Sequence, residues 1–403
     1  RVALPATRVG RQDLGGAGMS PMVKRQLPFL GLAVVLLLFG GVAPQQFVDI
    51  GIWALIYGFA AIGLSLLMGL AGQVSLGHAA FIAVGAYTQA LLVGKAGWNP
   101  LLAAPVAVLA SMLIALLVGL PLLRLRGHFL ALATLGLGII VGVFVTEQDF
   151  TGGTSGIYGL PNLEFGGRVY DTSQEYFLLL TPVVVLGLWL ASNLVHSRTG
   201  RALSAVNDSE VAAECLGVDT FALRLRVFVL SAAYAGLAGV FYTHWLTIVN
   251  PSVAHFELSV KILLMVVLGG LGTVWGAIIG AVAVQLLDDG LRGLIPVLIP
   301  GAKGEIQLIG FGVVLVLVII LMPGGLAQLW GKIVSSVRQR NHPIVRGEHE
   351  HKVTQEEQRD LLEESLKLLA RAEHMPAGQT ILAIRGLTKR YGGVTALDNL
   401  DLD

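Results

Sequence analysis

Residues 69–92 read GLAGQVSLGHAAFIAVGAYTQALL. Within this apolar run Gln73, Ser75, His78, Tyr87, Thr88 and Gln89 stand among glycines, where a helix facing lipid throughout carries mostly Leu, Ile and Val. Hydrocarbon offers polar groups no partners, so the segment has to face protein or a water-filled path.

The composition around it agrees. The chain has 55% hydrophobic and only 13% charged residues, with a mean hydropathy of +0.75, which is outside the range of an ordinary soluble domain. Charge is segregated as well: residues 27–330 hold 25 of the 53 charged side chains, whereas residues 331–403 hold 22. A polytopic, all-α membrane domain over 27–330 followed by a segment outside the bilayer is the expectation. A net charge of +1 gives no basic field for nucleic acid. Cys215, the single cysteine, excludes an internal disulfide and a cysteine-cluster metal site, and is expected to be a small apolar filler.

Residues 1–26, starting at Arg1, lack any apolar period and read as a disordered lead, with Met19 and Met22 as candidate starts. The apolar run 27–43 follows Lys24 and Arg25 without a cleavage pattern and reads as the first span. Windows of about twenty residues place further spans near 50–70, 77–94, 101–120, 127–146, 176–196, 226–245 and 305–322, eight in all. Lys24, Arg25, Arg124, Arg126, Arg198, Arg201, Arg224, Arg226, Lys332, Arg338 and Arg340 then share one side. The positive-inside rule makes that side, and both termini, cytoplasmic.

One apolar stretch resists this count. Residues 259–287 are too long for one span and too short for two, with Gly269, Gly270, Gly272, Gly276 and Gly280 in their middle and second half. The run 269–272 predicts a broken or re-entrant hairpin that returns to its starting side; Gly276 and Gly280, spaced four apart, suit close helix packing.

The cytoplasmic connection 197–226 contains a short helix near 210–216. Val211, Ala212, Cys215 and Leu216 share its apolar face, Asn207 or Asp208 caps it, and Gly217 ends it. In the tail, Thr354 and Glu357 form a capping box opening a charged linker helix within 331–378. Residues 381–403, ILAIRGLTKRYGGVTALDNLDLD, read as strand, Gly392-Gly393 turn, strand.

Residues 69–92 resemble the signature region of permease subunits of bacterial branched-chain amino acid ABC importers and their urea-importing relatives. The resemblance covers most of residues 27–330. It also rests on LRLRGHFLALATLGLGII (123–140), TGGTSGIYGLP (151–161) and VLGGLGTVWGAIIG (267–280), and on the order Glu210, Ala212, Ala213, Gly217, which is similar to the coupling motif docked by the ATPase. Residues 379–403 resemble the first β-hairpin of an ABC ATPase domain, in which an aromatic residue before the turn stacks on adenine; Tyr391 holds that place. No G-x-x-x-x-G-K-[ST] phosphate loop occurs, so the expectation is a permease fused to an ATPase, cut just inside the second domain, which alone neither holds nor hydrolyses ATP.

The resemblance implies a transporter and not an enzyme, in the bacterial inner membrane. Its implied partners are a second homologous permease subunit, ABC ATPase subunits, a periplasmic solute-binding protein and the lipid bilayer. The solute is expected to pass Gln73, Ser75, His78, Tyr87 and Thr134 by alternating access, although His78 could equally be a satisfied histidine at a helix break. The loop 151–161 is either a docking turn for the binding protein or a flexible connection. Branched-chain amino acids are the first expectation for the solute, urea or short amides the second. A secondary transporter or channel is a rival from another class, but the spans lack the mid-membrane ionisable groups of ion coupling. A membrane enzyme would need converging catalytic groups, and none is apparent. No metal site is expected, with Glu348-His349-Glu350-His351 read as a solvated linker.

Overall fold

A computed structural model describes residues 21–125, 127–165, 168–298, 312–313, 384–391 and 394–402. Eleven helices occur among them: α1 (Pro21–Val42), α2 (Gln45–Ala71), α3 (His78–Ala90), α4 (Pro100–Leu122), α5 (His128–Glu147), α6 (Ser173–Val195), α7 (Arg198–Asp208), α8 (Glu210–Cys215), α9 (Thr220–Leu246), α10 (Phe256–Gly269) and α11 (Val274–Leu298). A π-helical turn, Leu91–Lys95, extends α3, and 3₁₀ turns occupy Asp149–Thr151 and Pro251–Ala254. A small hairpin pairs β1 (Leu163–Phe165) with β2 (Arg168–Tyr170).

Six of these helices, α2, α4, α5, α6, α9 and α11, are long and apolar enough to cross a membrane. The chain is thus a mostly helical, polytopic membrane protein, with six helices of that length among the described residues beside the eight spans expected. The segment 77–94 is helical from His78 through the π-helical turn to Lys95, but its α-helical part, α3, has only 13 residues and falls short of the length of the six. The apolar part of α1, Gln26–Val42, falls short of the same length, while its helix begins at Pro21, inside the expected lead. The span expected at 305–322, apart from residues 312–313, the capping box at Thr354 and Glu357 with its linker helix, and the run 348–351 lie outside the described residues.

The protein-covered centre of this unit, which falls within 1–336, is built on α2 and α9. They are its most buried spans, while α4 is mostly exposed along its flank. Small residues permit this: Gly85 of α3 lies against the Gly236 carbonyl of α9, and Gly239 of α9 against the Ile82 carbonyl. The two backbones approach where any side chain would separate them. Rings fill the remaining space, with Phe81 and Phe228 edge to face at 5.5 Å. The buried Tyr176 hydroxyl donates to the Phe241 carbonyl at 2.6 Å and that of Tyr234 to the Gly187 carbonyl at 2.7 Å.

The stretch 259–287 does fold as a broken hairpin. Gly270 and Gly272 adopt φ of 109° and 79°, conformations that L side chains rarely take, and Thr273 closes the turn by donating its hydroxyl to the Gly270 carbonyl at 2.7 Å. From there α11 returns along α10, with Gly269 against Gly276, Met265 against Gly280 and Lys261 bound to Asp288. The hairpin tip rests on the last turns of α2, where Gly69 abuts Gly272 and the Ser65 hydroxyl reaches the Thr273 carbonyl at 3.4 Å.

A second unit lies within 337–403. Its described part is an antiparallel pair, β3 (Ile384–Tyr391) with β4 (Val394–Leu402), in which Tyr391 stands opposite Val394.

Candidate functional site

The decisive segment begins where α2 stops. Gly72, at φ 63°, caps α2 in the left-handed conformation and returns its N–H to the Leu67 carbonyl. Residues 72–77 then run without helical structure to the start of α3. The Leu76 N–H donates to Thr134 Oγ1 at 3.0 Å, and the Thr134 hydroxyl in turn donates to the Ala131 carbonyl at 2.8 Å. Gly77 lies directly on the Thr134 carbonyl, so only glycine fits there. Thr134 of α5 therefore clamps the unwound segment from the side.

His78 opens α3, fully buried. Its Nε2 sits 3.2 Å from the Ala60 carbonyl of α2; a carbonyl can only accept, so Nε2 carries the proton and Nδ1 is the free acceptor. One residue on, the Ala79 N–H donates to Ser259 Oγ in the first turn of α10 at 3.0 Å. The N-terminal turns of two interrupted helices thus meet inside the protein, and neither has a side-chain cap. Ser259 was not among the expected site residues: its partner is 180 positions away, and nothing local marks it.

A second buried constellation closes the far end of α3. Gln89 Nε2 donates to the Pro100 carbonyl at 2.9 Å and to His244 Nε2 at 2.8 Å, while His244 Nδ1 donates to the Pro161 carbonyl at 3.0 Å. These partners fix the histidine tautomer. They also tie down the loop 151–161, in which Ile157 and Val249 exchange backbone bonds and Thr151 Oγ1 donates to the Val145 carbonyl at 2.7 Å. That loop is an anchored structure with Tyr158 exposed.

Ten buried side-chain atoms lack a protein partner among the described residues, and six belong to this one segment: both polar atoms of Gln73, Ser75 Oγ, His78 Nδ1, Tyr87 OH and Gln89 Oε1. Buried polar atoms are ordinarily satisfied. Among the described residues these unpartnered groups are concentrated in this one segment. Gln73, Ser75, His78 and Tyr87 share this property, whereas Thr134 serves to position the segment.

On the α7–α8 side, the connection contains one helix more than expected. Ser197 caps α7 by accepting from the Gly200 N–H at 3.1 Å, and Ser209, not Asn207 or Asp208, caps α8 by accepting from Ala212 at 3.3 Å. Gly217, at φ 79°, ends α8 in a Schellman arrangement, with Gly217 N–H to Glu214 and Val218 N–H to Ala213. Glu210 is held by Arg224 of α9 at 2.6 Å, and Thr220 donates to Glu214 at 2.8 Å. Only Ala213 of α8 is buried; Val211, Ala212 and Leu216 are exposed, and so is Cys215. The reading of Cys215 as buried filler is therefore wrong: the apolar face of α8 points away from its own bundle.

A cavity of about 610 Å³ lies between the first half of α2 and the facing parts of α10 and α11. Asp288, buried at its wall, accepts from Lys261 at 2.8 Å and from Arg292 at 3.2 Å. Lys261 also lies 5.4 Å above the Tyr57 ring. The candidate site residues offer no nucleophile paired with a base, and no group of three or more metal-ligating side chains exists among the described residues.

Residues 46–322 match the protein family described as branched-chain amino acid transport system, permease component. The chain is 32% identical over 334 residues to the high-affinity branched-chain amino acid transport system permease protein LivM of Salmonella typhimurium, covering 76% of each, and equally to LivM of Escherichia coli. To LivH of Escherichia coli, a permease protein of the same transport system by name, it is 24% identical over 58% of this chain and 80% of that one. No solved structure matches it.

Proposed function

The chain belongs to the branched-chain amino acid transport system permease family, and from that premise we propose that it is the membrane-spanning half of an ATP-driven, binding-protein-dependent importer of branched-chain amino acids. Family membership running from α2 through α11 is the observation that carries this reading. The protein is a transport permease and carries out no chemistry on its solute. Its neighbours are a second, similar permease subunit, two ATPase domains and a solute-binding protein outside the bacterial inner membrane.

The mechanism follows from which parts are tied and which are left open. The ATPase grips the exposed apolar face of α8, where Glu210, Ala212, Ala213 and Gly217 form the coupling element. Glu210 transmits the movement through Arg224 to the first turns of α9. Because α9 packs backbone to backbone on α3, tilting α9 displaces the segment from Gln73 to Tyr87. The junction of α3 with α10 opens and recloses as that happens, and the glycine break at Gly269, Gly270 and Gly272 supplies the pivot. Weak contacts suffice along such a path, since capture of the solute is the task of the binding protein.

The finer organisation is also part of the proposal. Eight spans with 305–322 as the last, both termini cytoplasmic and a linker over 331–378 bring residues 379–403 to the cytoplasmic side. There β3 and β4 begin an ATPase domain, and Tyr391 stacks on the adenine of ATP once that domain is complete.

Reconstituting the permease pair with its ATPase and binding protein, and measuring uptake of labelled leucine, isoleucine and valine with and without ATP, tests the reading. ATP-dependent uptake of these three is the expected result. ATP-dependent uptake of urea or acetamide in their place would move the chain to the short-amide importers, and uptake indifferent to ATP would make it a secondary transporter or channel.

A further inference from the structure

The cavity between α2, α10 and α11 is lined by charged side chains, which lipid would not accommodate, so it has to face water or a partner group. Asp49, Asp288 and Asp289 oppose Lys261 and Arg292 around it, leaving one negative charge in excess. Asp288 is engaged with both cations. Two buried atoms of its lining have no protein partner, Asp49 Oδ1 on α2 and Gln285 Oε1 on α11, and Gln285 is 6% exposed. Both atoms are acceptors.

We propose that this cavity is an outer binding station of the permease, at which Asp49 and Gln285 receive the primary ammonium group of a small solute. The surplus negative charge selects a cation, and the two empty acceptors require N–H donors. A carboxylate alone would meet repulsion at both; a neutral amide could donate but would gain nothing from the charge. Trp53 and Tyr57 supply an apolar wall beside these acceptors, suited to a hydrocarbon side chain. Tyr57 lies one helical turn from Ala60, whose carbonyl holds His78, so the station adjoins the segment of unpartnered groups described above. The inference rests on the importer reading and deepens it, giving the solute a first contact that reads its amino group.

An ammonium group can also come from the headgroup of phosphatidylethanolamine, so the test separates the two sources. The complete importer is placed in nanodiscs of phosphatidylcholine and phosphatidylglycerol, and the fluorescence of Trp53 is isolated by subtracting a Trp53→Phe sample. Titration with L-leucine and with 3-methylbutylamine should give a saturable change, while 4-methylpentanoate and 4-methylpentanamide should give none over the same range. Asp49→Asn and Gln285→Leu should each raise the half-saturating amine concentration by about tenfold or more, and Gln285→Glu, which adds charge without removing the acceptor, should lower it. Equal responses to the carboxylate or the amide, or half-saturation unmoved in all three variants, would overturn the site. An amine response that fades when phosphatidylethanolamine is included would assign the site to lipid and overturn the station. Leucine uptake by the unaltered complex is followed in parallel: absent uptake with an intact amine response defeats the importer reading alone, and normal uptake without an amine response defeats this inference alone.

Discussion

At the level of single residues, two kinds of constraint hold the bundle together, and they differ in how visible they are. Glycines at backbone contacts are one kind. A methyl group at Gly280 would press on the Met265 carbonyl, which cannot swing aside as a side chain can. Gly280→Ala should therefore cost about 1–3 kcal/mol and lower the melting temperature of the detergent-solubilised protein. Gly290→Ala, in the same helix with open space around it, should be neutral or stabilise by up to about 1 kcal/mol. The Gly276 and Gly280 spacing announced this packing in the sequence, because small residues four apart leave a visible period. The second kind is the long-range polar clamp, which leaves no such trace. Gln89 stood out as a polar residue in an apolar run, yet its link to His244 spans 155 positions. Gln89→Leu strands the Pro100 carbonyl and His244 Nε2 inside the protein, and a loss of about 1–3 kcal/mol in thermal or denaturant stability should follow.

Among the elements, helix positions were legible from hydropathy, and the break within 259–287 from Gly269, Gly270 and Gly272. The unwound stretch before His78 and the short α10 exist because Gly77 and Gly270 are placed where the backbone must touch or turn; an averaging window smooths such points away. The short α8 was legible through its apolar face and Gly217, but its cap was not, since Asn207 and Asp208 offer the same capping chemistry as Ser209 and instead complete α7. Its ion pair with α9 now permits a sharper experiment. Glu210→Arg and Arg224→Glu, introduced singly, should each depress uptake. Together they should recover much of it, with a coupling energy of about 0.5–3 kcal/mol between the sites. Two independent losses without recovery would mean that Glu210 contacts the ATPase directly and does not act through α9.

For the molecule as a whole, composition was enough to assign the membrane. Sidedness is where the proposal is exposed to a direct check. In a Cys215→Ser background, a cysteine at Tyr158 should react with an impermeant maleimide added to intact cells, and one at Ala205 should react only after the membrane is opened; the reverse pattern would invert the whole arrangement. Both positions are solvent-exposed in the fold, so reactivity reports the side of the membrane and not burial. The folded-back pair α10 and α11 carries a consequence for biogenesis. Its turn leaves the helical backbone pattern between Gly270 and Thr273 and its flank carries Lys261 and Asp288, so hydrocarbon is a hostile place for it until α2 and α3 offer a cradle. Translation delivers that cradle first, and the late hairpin is the keystone that a ribosome has to set after the arch is standing.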